Sequence, residues 1–234
     1  MNKVELDEQT GRLRLDREAF ERLVGAASSG TETGEVAEGA RHPKVRAGLE
    51  AVVEPVCRLR VTMADGERHT EHEGWLTPRA AALLLPSPDG LLDFLTVAPE
   101  FVPAVLARLM RLGPRLRGQR SPVGVEEDAL DALVDPDPVA RGEAFAAVSG
   151  TGASLALKVE LVWDGRDDEP DGRGLVVLDG QGGLYAFRLS DGVGELVPVD
   201  GSFVWTTFCA LLPDEATLAG WLSGPGDVSD PATR

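Results

Sequence analysis

Apolar and polar residues alternate from position 56 to position 63. Val56, Arg58, Arg60 and Thr62 fall on one face, and Cys57, Leu59, Val61 and Met63 on the other. A period of two marks a strand buried on one side, and Asp65-Gly66 follows with turn chemistry. EGWLTP (73–78) returns as a second strand, and AALLLPSPDGLLDFLTV (81–97) reads as two more around a Ser-Pro-Asp-Gly turn. The period then changes. In PEFVPAVLARLMRLG (99–113), Val102, Val105, Leu106 and Leu109 recur at helical spacing until Gly113-Pro114 stops them.

The same signals place the other elements. An alternating segment, RLRL, precedes Asp16, which reads as the N-cap of a helix with Phe20, Leu23 and Val24 on one stripe. Residues 28–40, rich in Gly, Ser, Thr and Glu, read as a loop. Pro43 opens a helix over about 43–54 carrying Val45, Leu49, Val52 and Val53. Residues 113–124 are a basic connection, with helices expected over about 125–134 and 138–148. LALKVELVWDG, GRGLVVLDGQGG, LYAFRLSDGVG and ELVPV read as strands with Gly-rich turns. A helix over about 200–212 follows, then a short one, EATLAGWL, and a polar tail.

With an offset near one hundred, the two halves align. RVTMADG (60–66) meets ELVWDG (160–165), and Gly74-Trp75-Leu76 meets Gly174-Leu175-Val176. LLDFLTV (91–97) meets LYAFRLS (184–190) or the shorter ELVPV after it. In the closing helices Val102 falls near Val204, Leu106 near Phe208 and Leu109 near Leu211. The expected fold is α+β, with mostly antiparallel sheets, packed helices and two pseudo-twofold-related halves. Residues 1–120 form the first half. Residues 121–222 form the second, beginning with a helical linker (121–150), and 223–234 are an expected disordered tail.

Composition narrows the function. The 234 residues carry a net charge of −16, which disfavours nucleic acid and anionic membranes as partners. No apolar run approaches the length of a transmembrane helix, about 18 residues or more, and the N-terminal stretch lacks the apolar core of a signal peptide, so a cytoplasmic location is expected. Cys57 and Cys209 are too few for a disulfide scaffold and read as small core hydrophobes.

The chemistry-bearing motifs are sparse. GERHTEHEG (66–74) contains Glu67, Arg68, His69, Glu71, His72 and Glu73 but is not the His-Glu-x-x-His zinc motif, and it reads as a charged loop. DGQGGLY (179–185) is followed by a strand, so it is a hairpin turn and not a phosphate cradle. No Gly-x-Ser-x-Gly occurs, and no carboxylate pair stands out. The basic patch Arg111, Arg115, Arg117, Arg120 has no interleaved aromatics. Trp205 and Trp221 lie on C-terminal helices, where tryptophan serves either the core or an interface.

The layout resembles the EspG family, cytosolic chaperones of type VII (ESX) secretion systems in actinobacteria. The resemblance runs through LRLDREAFERLV, through GLEAVVEPVCRLRV with its helix, proline and strand, and through the hairpin-rich GLYAFRLSDGVGELVPVDGSFV with its closing helix. It implies an α+β body of quasi-twofold halves that binds helical PE–PPE-type or related secreted substrates without catalysis. It also implies a partner surface made from the central sheet, an early loop corresponding to GERHTEHEG, and the C-terminal helices. The partner-binding residues expected on this basis are Glu67, Arg68, His69, Glu71, His72, Trp205 and Trp221, with no cofactor and no metal. Two alternatives stand beside it: an enzyme with a site near His69 and His72, and a regulatory or structural module that homodimerises through a sheet edge.

Overall fold

The computed structural model describes residues 4–30, 41–113, 121–164, 170–190 and 193–213. The last helix expected from sequence, the tail and the basic stretch 114–120 lie outside these residues, as does most of the expected 28–40 loop. The strands are β1 (Val4–Asp7), β2 (Arg12–Leu15), β3 (Cys57–Ala64), β4 (His69–Leu76), β5 (Ala81–Pro86), β6 (Leu92–Val97), β7 (Val123–Gly124), β8 (Ala153–Asp164), β9 (Pro170–Gly180), β10 (Gly183–Ser190) and β11 (Val193–Val199). The helices are α1 (Arg17–Ser29), α2 (Pro43–Val53), α3 (Val102–Leu109, preceded by a 3-10 turn at Pro99–Phe101), α4 (Glu127–Ala132), α5 (Pro138–Ala147) and α6 (Gly201–Leu211).

Local chemistry starts the helices where the sequence places them. The Asp16 carboxylate accepts the Ala19 N–H (2.8 Å) ahead of α1. Asp137 accepts from Val139 (3.1 Å) ahead of α5, and Asp200 from Phe203 (2.8 Å) ahead of α6. Each satisfies an N–H that the first helical turn leaves without a partner. Proline begins both α2 and α5, where its missing donor does no harm.

All eleven strands join one sheet in the order β1-β2-β6-β5-β4-β3-β8-β9-β10-β11-β7, every neighbouring pair antiparallel. The fold is α+β, as the sequence predicts. At the centre β3 pairs with β8 over eight residues, Arg60 opposite Glu160. Element order also repeats. β2-α1-α2-β3-β4-β5-β6-α3 is followed by β7-α4-α5-β8-β9-β10-β11-α6, and β2 pairs with β6 as β7 pairs with β11.

Pairing corrects parts of the sequence alignment. Arg60 and Glu160 are partners. Gly74 pairs with Leu59, whereas Leu175 pairs with Val159. The connection between β8 and β9 is one residue longer than that between β3 and β4, so Gly74 and Gly174 do not hold the same place relative to the central pair. By strand order, LLDFLTV corresponds to β11, which includes ELVPV, and LYAFRLS lies in β10, the counterpart of β5. In α3 the buried stripe is Val102, Leu106 and Met110, with Leu109 only half-buried, against Val204, Phe208 and Leu211 in α6.

GERHTEHEG is not a loop. Only residues 65–68 turn, held by the Asp65 carboxylate, which accepts from Glu67 N (2.8 Å) and Arg68 N (2.6 Å). His69 already starts β4.

The core has three parts. On one face of the sheet α3 and α6 lie over Leu59, Val61, Leu83, Val159, Leu161, Val177 and Leu184. On the other face α1 and α2 cover Leu13, Leu15, Leu84 and Phe94, while α4 and α5 cover Ala64, Ala156, Leu178 and Tyr185. Between these two helix pairs no helix among the described residues lies on the central strip of the sheet.

Candidate partner-binding surface

The uncovered strip follows from the strand pattern. On β3 the side chains of Arg58 and Arg60 point away from α3 and α6. The register sets Arg58 between Trp75 of β4 and Val162 of β8, and Arg60 between Glu73 and Glu160. Together they line a groove of about 290 Å³. Three strands at roughly 4.8 Å spacing make a floor about 10 Å wide, the diameter of one helix with its side chains.

The groove is polar at its centre and apolar at one end. Glu73 is held by Arg17 (2.9 Å), and Glu160 by Lys158 (2.8 Å), whose ammonium also meets Asp131 at 2.8 Å. Burial works to lower the Lys158 pKa, but these two carboxylates outweigh it and hold the ammonium above its ordinary value. Arg58 and Arg60 are exposed and make no ion pair with a described residue. Trp75 is half-buried, its ring 5.8 Å from that of Phe20 on α1, and Val162 is 43% exposed. The groove therefore offers two guanidinium groups without an ion pair among the described residues, flanked by an indole face and an aliphatic surface.

The residues expected at the partner surface do not converge. Glu67 and Arg68 sit on the exposed turn at the end of β3. His69 and Glu71 share the groove's face of β4, with His69 Nε2 3.7 Å from Glu71 Oε1. His72 points the other way, into the core, and is 6% exposed. Trp205 is on α6, across the sheet from the groove, and is 42% exposed; Trp221 lies outside the described residues. His69 and His72 leave opposite faces of one strand, so they do not converge on one ion. Among the described residues there is also no cluster of three or more metal-binding side chains.

Cys209 is not the core residue the sequence suggests, because it lies on the outward side of α6. Cys57 is buried in the core, and burial pushes its thiol up to about 12.

Sequence reasoning passed over Arg58, Arg60, Trp75, Glu160 and Val162. The alternation of 56–63 already put both arginines on a polar strand face. What it lacked was the pairing of β3 with β8, which makes that face the middle of a sheet.

The sequence matches no family model and no curated protein. Among solved structures, the chain is similar to that of the Mycobacterium tuberculosis type VII secretion system chaperone EspG5 in complex with a PE25-PPE41 dimer. The TM-score is 0.55 at 12% identity, over 86% of this chain and 97% of that chain. The likeness is one of fold: the α+β body of this protein is EspG-like. No described helix is long and apolar enough to cross a membrane.

Proposed function

We propose that this protein is a non-catalytic chaperone or adaptor that holds a helical, secreted polypeptide in the groove between its two helix pairs. The observation that carries the reading is the central strip itself, one helix wide, with Arg58 and Arg60 lacking ion-pair partners among the described residues beside Trp75 and Val162. Arginine and tryptophan are the residue types most often found as anchors of protein interfaces. A strip without a helix in the middle of a large sheet is an interaction surface by its exposure. The EspG-like fold supports the reading, since the similar chain is a chaperone solved with a bound protein dimer.

In this proposal the two halves, 1–120 and 121–222, are duplicates related by a near half-turn passing between Arg60 and Glu160. The groove then lies on the axis, and its two walls are the α1/α2 pair and the α4/α5 pair. The partner presents one helix with acidic residues toward the arginines and an apolar edge toward Trp75. The protein acts in the cytoplasm before its partner is exported.

The test is co-expression with the small helical proteins encoded beside its gene. A soluble stoichiometric complex that is lost in the Arg58→Glu/Arg60→Glu variant, with the fold of the variant intact by circular dichroism, is the expected result. Complex formation unaffected by that variant, or no complex with any of those proteins, overturns it.

A further inference from the structure

The floor of the groove is laid out in rows. Strand pairing sets Trp75, Arg58 and Val162 in one row and Glu73, Arg60 and Glu160 in the next. Behind them Thr62 stands between Glu71 and Lys158. Thr62 is only 4% exposed, and Ala64 beyond it shares a cluster with Leu130 of α4 and Ala144 of α5, so the floor is closed at that end. The open floor is two rows long, with an exposed arginine at the centre of each. The carboxylates of the second row are already engaged: Glu73 holds Arg17 of α1, and Glu160 holds Lys158, which also holds Asp131 of α4.

We propose that the groove selects a helix carrying two carboxylates at positions i and i+4, laid along β3 with one over Arg58 and the other over Arg60. This rests on the groove being the partner site. Residues 58 and 60 are two strand positions apart, about 6.6 Å. Residues i and i+4 of a helix rise by about 6 Å and stand on one face. Residues i and i+7 also share a face but are about 10.5 Å apart, which overruns the two rows. Residues i and i+2 leave the helix on nearly opposite sides.

Repulsion fixes the register as well. A helix slid one row inward keeps one carboxylate on Arg60 but brings the other to Glu71, whose side chain is 55% exposed, at the closed end of the floor. A helix slid one row outward leaves Arg60 without a carboxylate. A neutral helix covers both guanidinium groups and pairs neither, which is unfavourable once their water is displaced. The net charge of −16 works against an acidic helix at other places on the surface, so the contact is favoured where two arginines meet two acids.

Short alanine-based peptides, cross-linked on their far side so that all are helical and labelled with fluorescein, test the spacing by anisotropy against the full chain. They share one composition, with a Leu on the binding face for Trp75, and place two Glu at i,i+4, at i,i+7 or at i,i+2. A further peptide carries a single phosphoserine instead of the pair. The i,i+4 peptide should bind about tenfold more tightly than the other two isomers, the difference made by one charge-assisted contact. Arg58→Gln and Arg60→Gln, each folded by circular dichroism, should each erase that advantage. Equal binding of the three isomers overturns the proposal, as does an advantage that survives in either variant. Tighter binding of the phosphoserine peptide than of the i,i+4 peptide assigns both arginines to one anion and also overturns it. So does the absence of binding by any peptide, whereas the groove itself stands or falls by the co-expression experiment.

Discussion

Arg141 donates through Nε to the main-chain carbonyl of Asp65, 3.0 Å away. Its Nη1 reaches the carbonyls of Asp135 (2.6 Å) and Pro136 (2.9 Å), and the residue is 1% exposed. A side chain of the connecting helix α5 thereby ties down the turn between β3 and β4. Residues of 121–150 also pack on the sheet, since Ala64 of β3 lies in the same cluster as Leu130, Leu133 and Ala144.

Arg141→Ala leaves three part-buried carbonyls without that donor, and each such loss costs up to roughly 1–3 kcal/mol where no water replaces it. Because the three are adjacent and partly relax together, a total loss of about 2–4 kcal/mol is expected. Arg141→Lys keeps one of the three bonds and falls between. Urea unfolding at neutral pH reads both, and an unchanged midpoint for Arg141→Ala rules out the clip.

Two helix glycines should respond oppositely to alanine. A Cβ on Gly48 of α2 is driven against Thr96 and Phe94 of β6. The helix-propensity gain of about 1 kcal/mol is smaller than the cost of overpacking, about 1–3 kcal/mol, so Gly48→Ala destabilises. Gly142 of α5 has no atom within 4 Å of a built Cβ, and Gly142→Ala stabilises by about 0.5–1 kcal/mol. Thermal melts of the two variants side by side check the signs.

How much of this was legible in the sequence depended on what each residue's neighbours were. Alternation at 57–63 and the cap at Asp16 are local signals, and the strand and helix they announce are present. The sequence shows β4 as a strand only from Glu73, because in residues 69–72 the polar face carries Glu71, open to the groove, while the buried face carries His72 where an aliphatic residue gives the usual signal. β1 and the two-residue β7 are too short to announce themselves and exist through pairing with β2 and β11. The groove was the least visible feature. It needs β3 and β8, nearly a hundred residues apart, to be neighbours.

The fork between Arg12 and Asp93 should matter more than ordinary surface pairs. Nε and Nη2 of Arg12 reach the two carboxylate oxygens at 3.0 and 2.6 Å, and Asp93 is only 16% exposed. It joins β2 to β6 and so fastens the N-terminal hairpin to the sheet. A double-mutant cycle on Arg12→Met and Asp93→Asn should give a coupling of about 1 kcal/mol. The exposed Arg22–Glu18 pair within α1 should give no more than about 0.5 kcal/mol by the same measurement.

His72 makes the fold sensitive to acid. Its ring lies on the core face of β4, opposite Val61 and in line with Val159, and its Nδ1 is buried without a partner among the described residues. Burial pushes its pKa down from 6.5 to about 4. Above pH 6.5 the ring is neutral in both folded and unfolded chains and costs nothing. Below that the unfolded chain takes up the proton first, so stability falls as pH drops toward 4 and levels off beneath it. The loss attributable to this one group by pH 5 is about 2 kcal/mol. Replacing the ring with an apolar side chain, His72→Leu, removes the titration. Urea unfolding of the two proteins at pH 8 and pH 5 should show the difference in stability moving in the variant's favour by that amount. A difference that stays constant between the two pH values means the proton reaches His72 without opening the core.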